Sequence, residues 1–185
     1  MSAPETLPDG VAPPPEAFNV ARHLLDANAS RPAKVAFVDD ETKLTYGELA
    51  DRVRRFASAL RVRGVKREER VLVLLLDTVD WPVAFLGAIF AGAVPVAVNT
   101  LLSADDYAYM LEHSRAQAVV VSGAVLPALK AAMVKSDHEV HTVVVSRPVA
   151  PLEPSELDLA ELVEARALLE RAAPTRADEM AFWLY

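Results

Sequence analysis

The protein has 185 residues, of which 52% are apolar and 24% charged, with a formal net charge of −7 and a pI near 5.1. A chain of this length and composition can bury one hydrophobic core of ordinary domain size. The negative charge argues against nucleic acid or an anionic membrane as a general partner. Because there is no cysteine, disulfides and thiolate metal sites are excluded, and a reducing, cytoplasmic location is expected.

The N-terminal residues are rich in proline, with Pro8 and Pro13–Pro15, and they lack the charged and apolar pattern of a secretory signal. This composition does not pack a core. We therefore expect a mobile tail over residues 1–15 and a single α/β unit over residues 16–185.

A helix and a hairpin are predicted after this tail. Apolar residues on one face predict a helix over Ala17–Asn28, and Pro32 ends that region. Short strands are predicted over Lys34–Val38 and Lys43–Thr45, with a turn of three acidic residues between them, which together indicate a β-hairpin.

The next helix has clear start and stop signals. Thr45 and Glu48 have the spacing of a capping box, and Gly64 is placed to end the helix in the left-handed conformation. The apolar positions between them recur at helical spacing: Leu49, Val53, Phe56 and Leu60. The arginines at positions 52, 54 and 55 fall outside that stripe, so a solvated helix face is predicted for them.

An apolar run over Arg70–Leu76 predicts a strand that is buried on both faces, as in a parallel sheet covered by helices. Asp77 or Thr78 is predicted to cap the following helix, and Pro82 lies in its first turn. The uncharged stretch over Trp81–Val98 is interrupted by Gly87, Gly92 and Pro95 and is too short for a membrane span, so it predicts a buried helix followed by a buried strand.

Helices and strands continue to alternate toward the C-terminus. Ser103 and Asp106 open a helix that ends near Ser114, and Arg147–Ser155 is a connection with three prolines. The remaining predictions are a strand over Ala118–Val121, a helix over Ala124–Val134, a strand over His141–Val145 and a surface helix over Leu157–Ala172. This order is typical of a doubly wound, mostly parallel sheet with helices on both faces.

The last six residues, Met180–Tyr185, have the composition of a core strand. Domains rarely end on such a strand, so the sequence predicts a chain that is truncated. Exposure of this strand is expected to lower solubility or to cause association.

The residues taken alone point to no reaction. There is no glycine-rich phosphate loop, and Ser122–Gly123 lacks the flanking spacing of a nucleophile elbow. His138 and His141 have zinc-like spacing without a third ligand, so a solvated loop is favoured over a metal site. No catalytic residue and no metal ligand is assigned, and the sequence specifies no oligomeric state.

Several segments resemble motifs of the adenylate-forming superfamily of acyl- and aryl-CoA ligases. Leu44–Leu49 looks like its first core motif, and Ala91–Asn99 looks like its second at the expected spacing. The runs Leu76–Phe90, Val98–Leu102 and Tyr107–Ser114 are most similar to benzoate-CoA ligases. The resemblance extends over essentially the whole of residues 18–185.

The resemblance implies the N-terminal portion of the large domain of a ligase that uses ATP, Mg2+ and coenzyme A with an aromatic carboxylate. In the family the carboxylate attacks the α-phosphate of ATP to give an acyl-adenylate and pyrophosphate, and the thiol of coenzyme A then displaces AMP. A Ser/Thr/Gly-rich phosphate loop follows the strand equivalent to Met180–Tyr185, so this chain is expected to stop before it and to be inactive alone.

One surface turn is assigned to the coenzyme A side by resemblance. Some relatives have a basic residue two positions after the asparagine equivalent to Asn99, where this chain has Leu101, and Thr100 could still donate a hydrogen bond to a ligand. Two alternatives stay open: a stand-alone α/β binding module that uses Asp77, Asn99 and Ser122 after its strands, and a fragment of another adenylating enzyme such as a fatty acyl-CoA ligase.

Overall fold

A computed structural model of the protein describes residues 13–185. The elements, in chain order, are α1 Val20–Asn28, β1 Val35–Val38, β2 Lys43–Thr45, α2 Tyr46–Val62, β3 Arg70–Leu74, α3 Asp80–Ala91, β4 Val94–Ala97, α4 Ala104–Ser114, β5 Ala118–Ser122, α5 Leu126–Lys135, β6 Thr142–Ser146, β7 Glu156–Asp158, α6 Leu159–Glu164 and β8 Trp183–Leu184. The tail predicted over residues 1–15 lies outside the described residues, apart from Pro13–Pro15, which are exposed.

Six strands form the main sheet in the order β7-β6-β5-β3-β4-β8, and every neighbouring pair is parallel. Leu72 of β3 lies opposite Val96 of β4 on one side and Val119 of β5 on the other. The chain passes from β3 to β4 and then returns across β3 to β5, which confirms the predicted doubly wound arrangement.

The sheet is buried on both faces, as the apolar run after Arg70 predicts. Val71 and Val73 face a core formed with α1, α2, α3 and α6. Leu72 and Leu74 face a second core formed with α4 and α5. All four side chains are fully buried, so alternate residues of one strand hold two layers of helices together.

The apolar stretch over Trp81–Val98 is a buried helix followed by a buried strand, as predicted. Most of α3 is buried, and Gly87 lies against Phe56 of α2, where a Cβ atom would meet the ring at 2.7 Å. Within residues 13–185, no helix combines the length and the apolar character needed to cross a membrane.

Two helices begin with the predicted capping boxes. Thr45 accepts a hydrogen bond from the backbone of Glu48, whose carboxylate accepts one from the backbone of Thr45. Ser103 and Asp106 make the same reciprocal pair at the start of α4. Such local bonds depend only on nearby residues, which is why the pattern predicts them.

The predicted cap of α3 is wrong. Val79 occupies the cap position without a side-chain hydrogen bond, Asp77 is exposed, and the buried hydroxyl of Thr78 has no partner among the described residues. The backbone N–H of Val79 instead donates to Asp39, a residue far away in sequence.

The surface helix predicted over Leu157–Ala172 is present but much shorter than predicted, over Leu159–Glu164 only. Glu156–Asp158 extends the sheet as β7, and Asp158 caps the short helix α6, whose residues Leu159, Leu162 and Val163 are buried. Beyond α6 the chain is not helical, and its backbone carbonyls accept hydrogen bonds from arginines of α2. Arg55 donates to Arg166 O at 2.5 Å, and Arg54 donates to Leu169 O at 3.1 Å.

These contacts also correct the prediction for the arginines of α2. The side chain of Arg52 is 25% exposed and pairs with Asp80, so it does not lie on a solvated face. Arg54 and Arg55 are 29% and 31% exposed and bind the segment after α6. The three arginines therefore form a second packing surface of α2, beside the apolar stripe.

The C-terminal strand pairs with β4 but lies at the edge of the sheet. Val96 is opposite Trp183, and Ala97 is opposite Leu184. Trp183 is half-buried, while Leu184 is 63% exposed. The strand is therefore present, but the burial predicted for a core strand is not found within residues 13–185.

Gly64 and Gly92 lie at the ends of α2 and α3 in the same backbone conformation. Substitution of each one tests how closely the segment after α6 packs against the end of α3. Gly64 and Gly92 both have φ of 86°. A Cβ atom on Gly92 would lie 2.6 Å from the Cβ atom of Ala173, whereas nothing lies within 4 Å at Gly64.

We expect Gly64→Ala to lower the free energy of unfolding by about 1–2 kcal/mol, the cost of left-handed backbone for alanine. Gly92→Ala should cost about 1–3 kcal/mol more, because Ala173 must move as well. Urea denaturation of both variants measures the difference. Equal losses would contradict the close packing of the segment that contains Ala173.

Candidate functional site

The carboxyl ends of the parallel strands are the candidate site, because ligands of doubly wound sheets bind where the strand order reverses. This point lies between β3 and β5. Ser122 at the end of β5 is buried, and its hydroxyl accepts a hydrogen bond from the backbone N–H of Leu76 at 2.9 Å. Ser122 is therefore engaged in holding the two strand ends together, whereas Asp77, which follows β3, is exposed.

A cluster of charged residues lies beside this crevice and links three parts of the fold. Asp80 at the start of α3 is bound by Arg52 at 2.5 Å and by the hydroxyl of Ser146 at 2.7 Å. Arg147, which directly follows β6, contacts Asp39 of the hairpin turn at 2.6 Å and Asp80 at 3.8 Å. We call these five residues the carboxyl-edge cluster.

The charged groups of the cluster are paired with one another. The side chains of Asp39 and Asp80 are 4% and 10% exposed. The backbone N–H of Val79 lowers the pKa of Asp39 well below its usual range, helped by two turn N–H groups and by Arg147, although burial opposes this. The carboxylates engage both arginines, so the cluster holds the hairpin against the sheet and leaves neither cation directed to a ligand.

The turn after β4 contains the residues that are predicted to lie on the coenzyme A side. The side chain of Asn99 accepts a hydrogen bond from the backbone N–H of Leu101 at 2.9 Å. Leu101 is 88% exposed, and Thr100 is half-buried. The turn from Asn99 to Ser103 contains no cation, so it does not fit a phosphate, and the assignment of Thr100 and Leu101 stays a prediction.

Sequence reasoning missed the residue that fixes this turn. The hydroxyl of Tyr107 donates to the backbone oxygen of Asn99 at 3.0 Å and accepts from the N–H of Leu102 at 3.2 Å. Its ring is fully buried, and burial raises the pKa of Tyr107. The sequence offers one signal for this role, which is the tyrosine at an apolar position of α4. A buried tyrosine hydroxyl needs a hydrogen-bond partner, so such a position indicates a polar contact.

The end of β8 reaches the same edge of the sheet beside this turn. Ala97 is opposite Leu184, so Tyr185 follows at the level of the Asn99 turn. The hydroxyl of Tyr185 lies 2.8 Å from Nδ1 of His113, whose ring stacks on Tyr109. Helix α4 and strand β8 therefore share an aromatic surface.

The two histidines near β6, His138 and His141, make contacts with neighbouring residues. Nδ1 of His138 accepts a hydrogen bond from the N–H of Val140 at 3.2 Å, and Nδ1 of His141 lies 3.0 Å from the hydroxyl of Thr142. In the described part of the chain, no three histidine or acidic side chains come together in a way that could hold a metal ion.

Comparison with families of known proteins gives a match over most of the chain. A family model described as "AMP-binding enzyme" matches residues 24–185. This range contains the parallel sheet, the carboxyl-edge cluster and the turn after β4.

Individual relatives also match over most of the chain. A benzoate–CoA ligase of Thauera aromatica is 43% identical in an alignment of 174 positions that covers 92% of this chain and 32% of that protein. A 4-hydroxybenzoate–CoA/benzoate–CoA ligase of Rhodopseudomonas palustris is 40% identical over 91% of this chain and 31% of its own length. The chain thus spans about a third of the length of these relatives.

A solved structure agrees in fold as well as in sequence. The crystal structure of a benzoate CoA ligase from Burkholderia xenovorans has a TM-score of 0.82 and is 49% identical, with 91% of this chain and 32% of that chain covered. The architecture described above is therefore that of part of this larger protein.

The carboxyl-edge cluster makes the free energy of unfolding depend on pH, and the lowered pKa of Asp39 sets the direction of this dependence. Because the pKa of Asp39 is lower in the folded chain than in the unfolded chain, its contribution is present above about pH 4 and is lost as the pH falls below that value. We expect Asp39→Asn to make the decline of unfolding free energy between about pH 4 and 2 shallower.

Urea denaturation across this pH range measures the effect. Asp40→Asn is the matched control, since Asp40 is exposed and neighbours Asp39 in the same turn. An unchanged pH slope in Asp39→Asn would contradict the role assigned to the Asp39 carboxylate.

Proposed function

Because the chain belongs to the AMP-binding enzyme family, we propose that it forms the N-terminal α/β part of an aryl-CoA ligase that activates benzoate. The observation that carries this proposal is the extended match to the benzoate–CoA ligase of Thauera aromatica, which runs through nearly the whole chain. The family match over residues 24–185 includes every strand of the main sheet and the turn after β4.

The proposed reaction has two steps. A carboxylate oxygen of benzoate attacks the α-phosphorus of ATP, with Mg2+ bound, and pyrophosphate leaves. The sulfur of coenzyme A then attacks the acyl carbon of benzoyl-adenylate, AMP leaves, and the thiol proton is released. Both steps require anions to be held in line and their charge to be neutralised.

The role we propose for these 185 residues is to provide the frame and not the reacting groups. Residues 13–185 offer neither a glycine-rich phosphate loop nor a cation in the turn after β4. Arg52 and Arg147 are engaged by Asp80 and Asp39. ATP, Mg2+ and coenzyme A would therefore be held mainly by residues of the larger enzyme, in a cytoplasmic protein that acts on an aromatic carboxylate.

The other candidate acid is a fatty acid, because fatty acyl-CoA ligases share the adenylating chemistry. In the resemblance, the acyl pocket lies outside the segment that this chain represents. The frame described here is compatible with either acid, and the sequence match to benzoate–CoA ligases favours the aromatic one.

We expect the 185-residue chain alone to give no ATP–pyrophosphate exchange with benzoate, because it lacks the phosphate-binding groups. A hybrid in which this chain replaces the matched third of the Thauera aromatica enzyme should form benzoyl-CoA. Chromatographic detection of benzoyl-CoA measures this, with the truncated Thauera remainder as the negative control. Exchange by the chain alone, or a folded hybrid without product, would contradict the proposal.

The turn after β4 offers a second test in the same hybrid. If Leu101 lies on the coenzyme A side, Leu101→Lys should lower the KM for coenzyme A by roughly two- to fivefold, as expected for about 0.5–1 kcal/mol from an exposed charge pair. Val149→Lys adds the same charge at another exposed apolar residue and should leave this KM unchanged. Equal effects of the two variants would place Leu101 away from coenzyme A.

A further inference from the structure

The turn between β3 and α3 lies where doubly wound sheets commonly bind a phosphate group. Strand β3 is the first strand of the main sheet in the chain, and β4 and β5 lie on opposite sides of it. After such a strand, a glycine-rich turn and the N-terminus of the next helix bind phosphate through backbone N–H groups. Residues 75–79, which form this turn here, contain no glycine. The position is therefore present without the residues that let a phosphate approach the backbone.

A carboxylate of the chain itself lies at this position. Oδ2 of Asp39, from the turn between β1 and β2, accepts a hydrogen bond from the N–H of Val79 at 2.9 Å and one from the guanidinium of Arg147 at 2.6 Å. Val79 is the cap residue of α3, and the side chain of Asp39 is 4% exposed. A helix N-terminal N–H and a guanidinium are also the partners that proteins use to bind a phosphate.

The surrounding charges favour this internal anion over an added one. Asp80 is bound by Arg52 at 2.5 Å, and Glu41 lies 3.3 Å from Arg147. With Asp39, three carboxylates therefore share two guanidinium groups. A phosphate group would add to this excess of negative charge, and it would have to displace Asp39 to reach Arg147.

The neighbouring turns are joined directly to one another. The N–H of Gly123, after β5, donates to the backbone oxygen of Ser146 at 2.8 Å, and a Cβ atom on Gly123 would lie 2.4 Å from the backbone oxygen of Arg147. The hydroxyl of Ser122 accepts a hydrogen bond from the N–H of Leu76 at 2.9 Å. These contacts connect the turns after β3, β5 and β6, so no ligand separates them.

We propose that Asp39 supplies the anion at the start of α3 from within the chain, and that loss of its carboxylate opens an anion site formed by the N–H of Val79 and by Arg147. The opened site takes a small carboxylate or inorganic phosphate. In the native chain the same contacts close this point of the sheet to the phosphate groups of a nucleotide. This role of Asp39 does not depend on which acid the ligase activates.

Rescue by formate tests the anion site, because formate has the size and charge of the carboxylate that Asp39→Ala removes. Sodium formate at about 100 mM should raise the midpoint of thermal unfolding of Asp39→Ala by about 2–4 °C more than sodium chloride does at the same concentration. The two salts should act equally on the unsubstituted chain and on Asp40→Ala, the matched control at an exposed neighbour. They should also act equally on Asp39→Ala/Arg147→Gln, which lacks the cation of the site.

Hydrogen exchange at Val79 tests the closure directly. In Asp39→Ala the backbone amide of Val79 should exchange at least about tenfold faster than in the unsubstituted chain, and formate should slow it again. In the unsubstituted chain, inorganic phosphate should leave the exchange of this amide unchanged, since Asp39 already occupies its position.

Several results would overturn the proposal. Equal effects of formate and chloride on Asp39→Ala, or a formate effect of the same size on the unsubstituted chain, would mean that no anion site opens. An Asp39→Ala chain that stays unfolded in formate counts against the site in the same way. Phosphate that slows the exchange of Val79 in the unsubstituted chain would mean that the switch point is open, and this experiment needs no folded variant.

Discussion

Burial of β3 and β5 on both faces is the constraint on which the rest of the structure depends. Alternate residues of β3, such as Val73 and Leu74, are fully buried in separate cores on opposite sides of the sheet. Each core needs its own layer of helices, and parallel neighbours need crossover connections. The reversal of strand order between β3 and β5, and with it the position of the candidate site, follows from this arrangement.

Electrostatics at the carboxyl edge then determine what the chain can contribute to a reaction. Asp39 and Asp80 take up the charge of Arg52 and Arg147, so the cations nearest the strand ends hold the hairpin and α3 in place. A buried ion pair of this kind is costly to break, because removal of one partner leaves the other charge without compensation. The cluster thus provides rigidity, which agrees with the role of a frame that we propose for this chain.

The sequence predicts the features that depend on neighbouring residues. The capping boxes at Thr45 and Ser103 and the apolar run of β3 are local patterns, and all three are present. The helix predicted over 157–172 ends early, at Glu164, and distant arginines of α2 bind the backbone of the segment that follows. The carboxyl-edge cluster was missed for the same reason, since its partners are distant in sequence. Tyr107 was missed because its position in the apolar pattern of α4 indicates burial and does not identify the backbone groups that its hydroxyl binds. Thr100 and Leu101 lie in the turn after β4, and their assignment to the coenzyme A side stays a prediction.

The most direct test of the account is a ligase assay on the product of the complete genomic reading frame that contains this chain. The formation of AMP from ATP and coenzyme A would be followed with benzoate or hexanoate as the acid. The account predicts AMP formation that depends on both acid and coenzyme A, with kcat/KM for benzoate at least about tenfold higher than for hexanoate. A frame that closes after Tyr185, a folded product without activity, or equal use of hexanoate would contradict it.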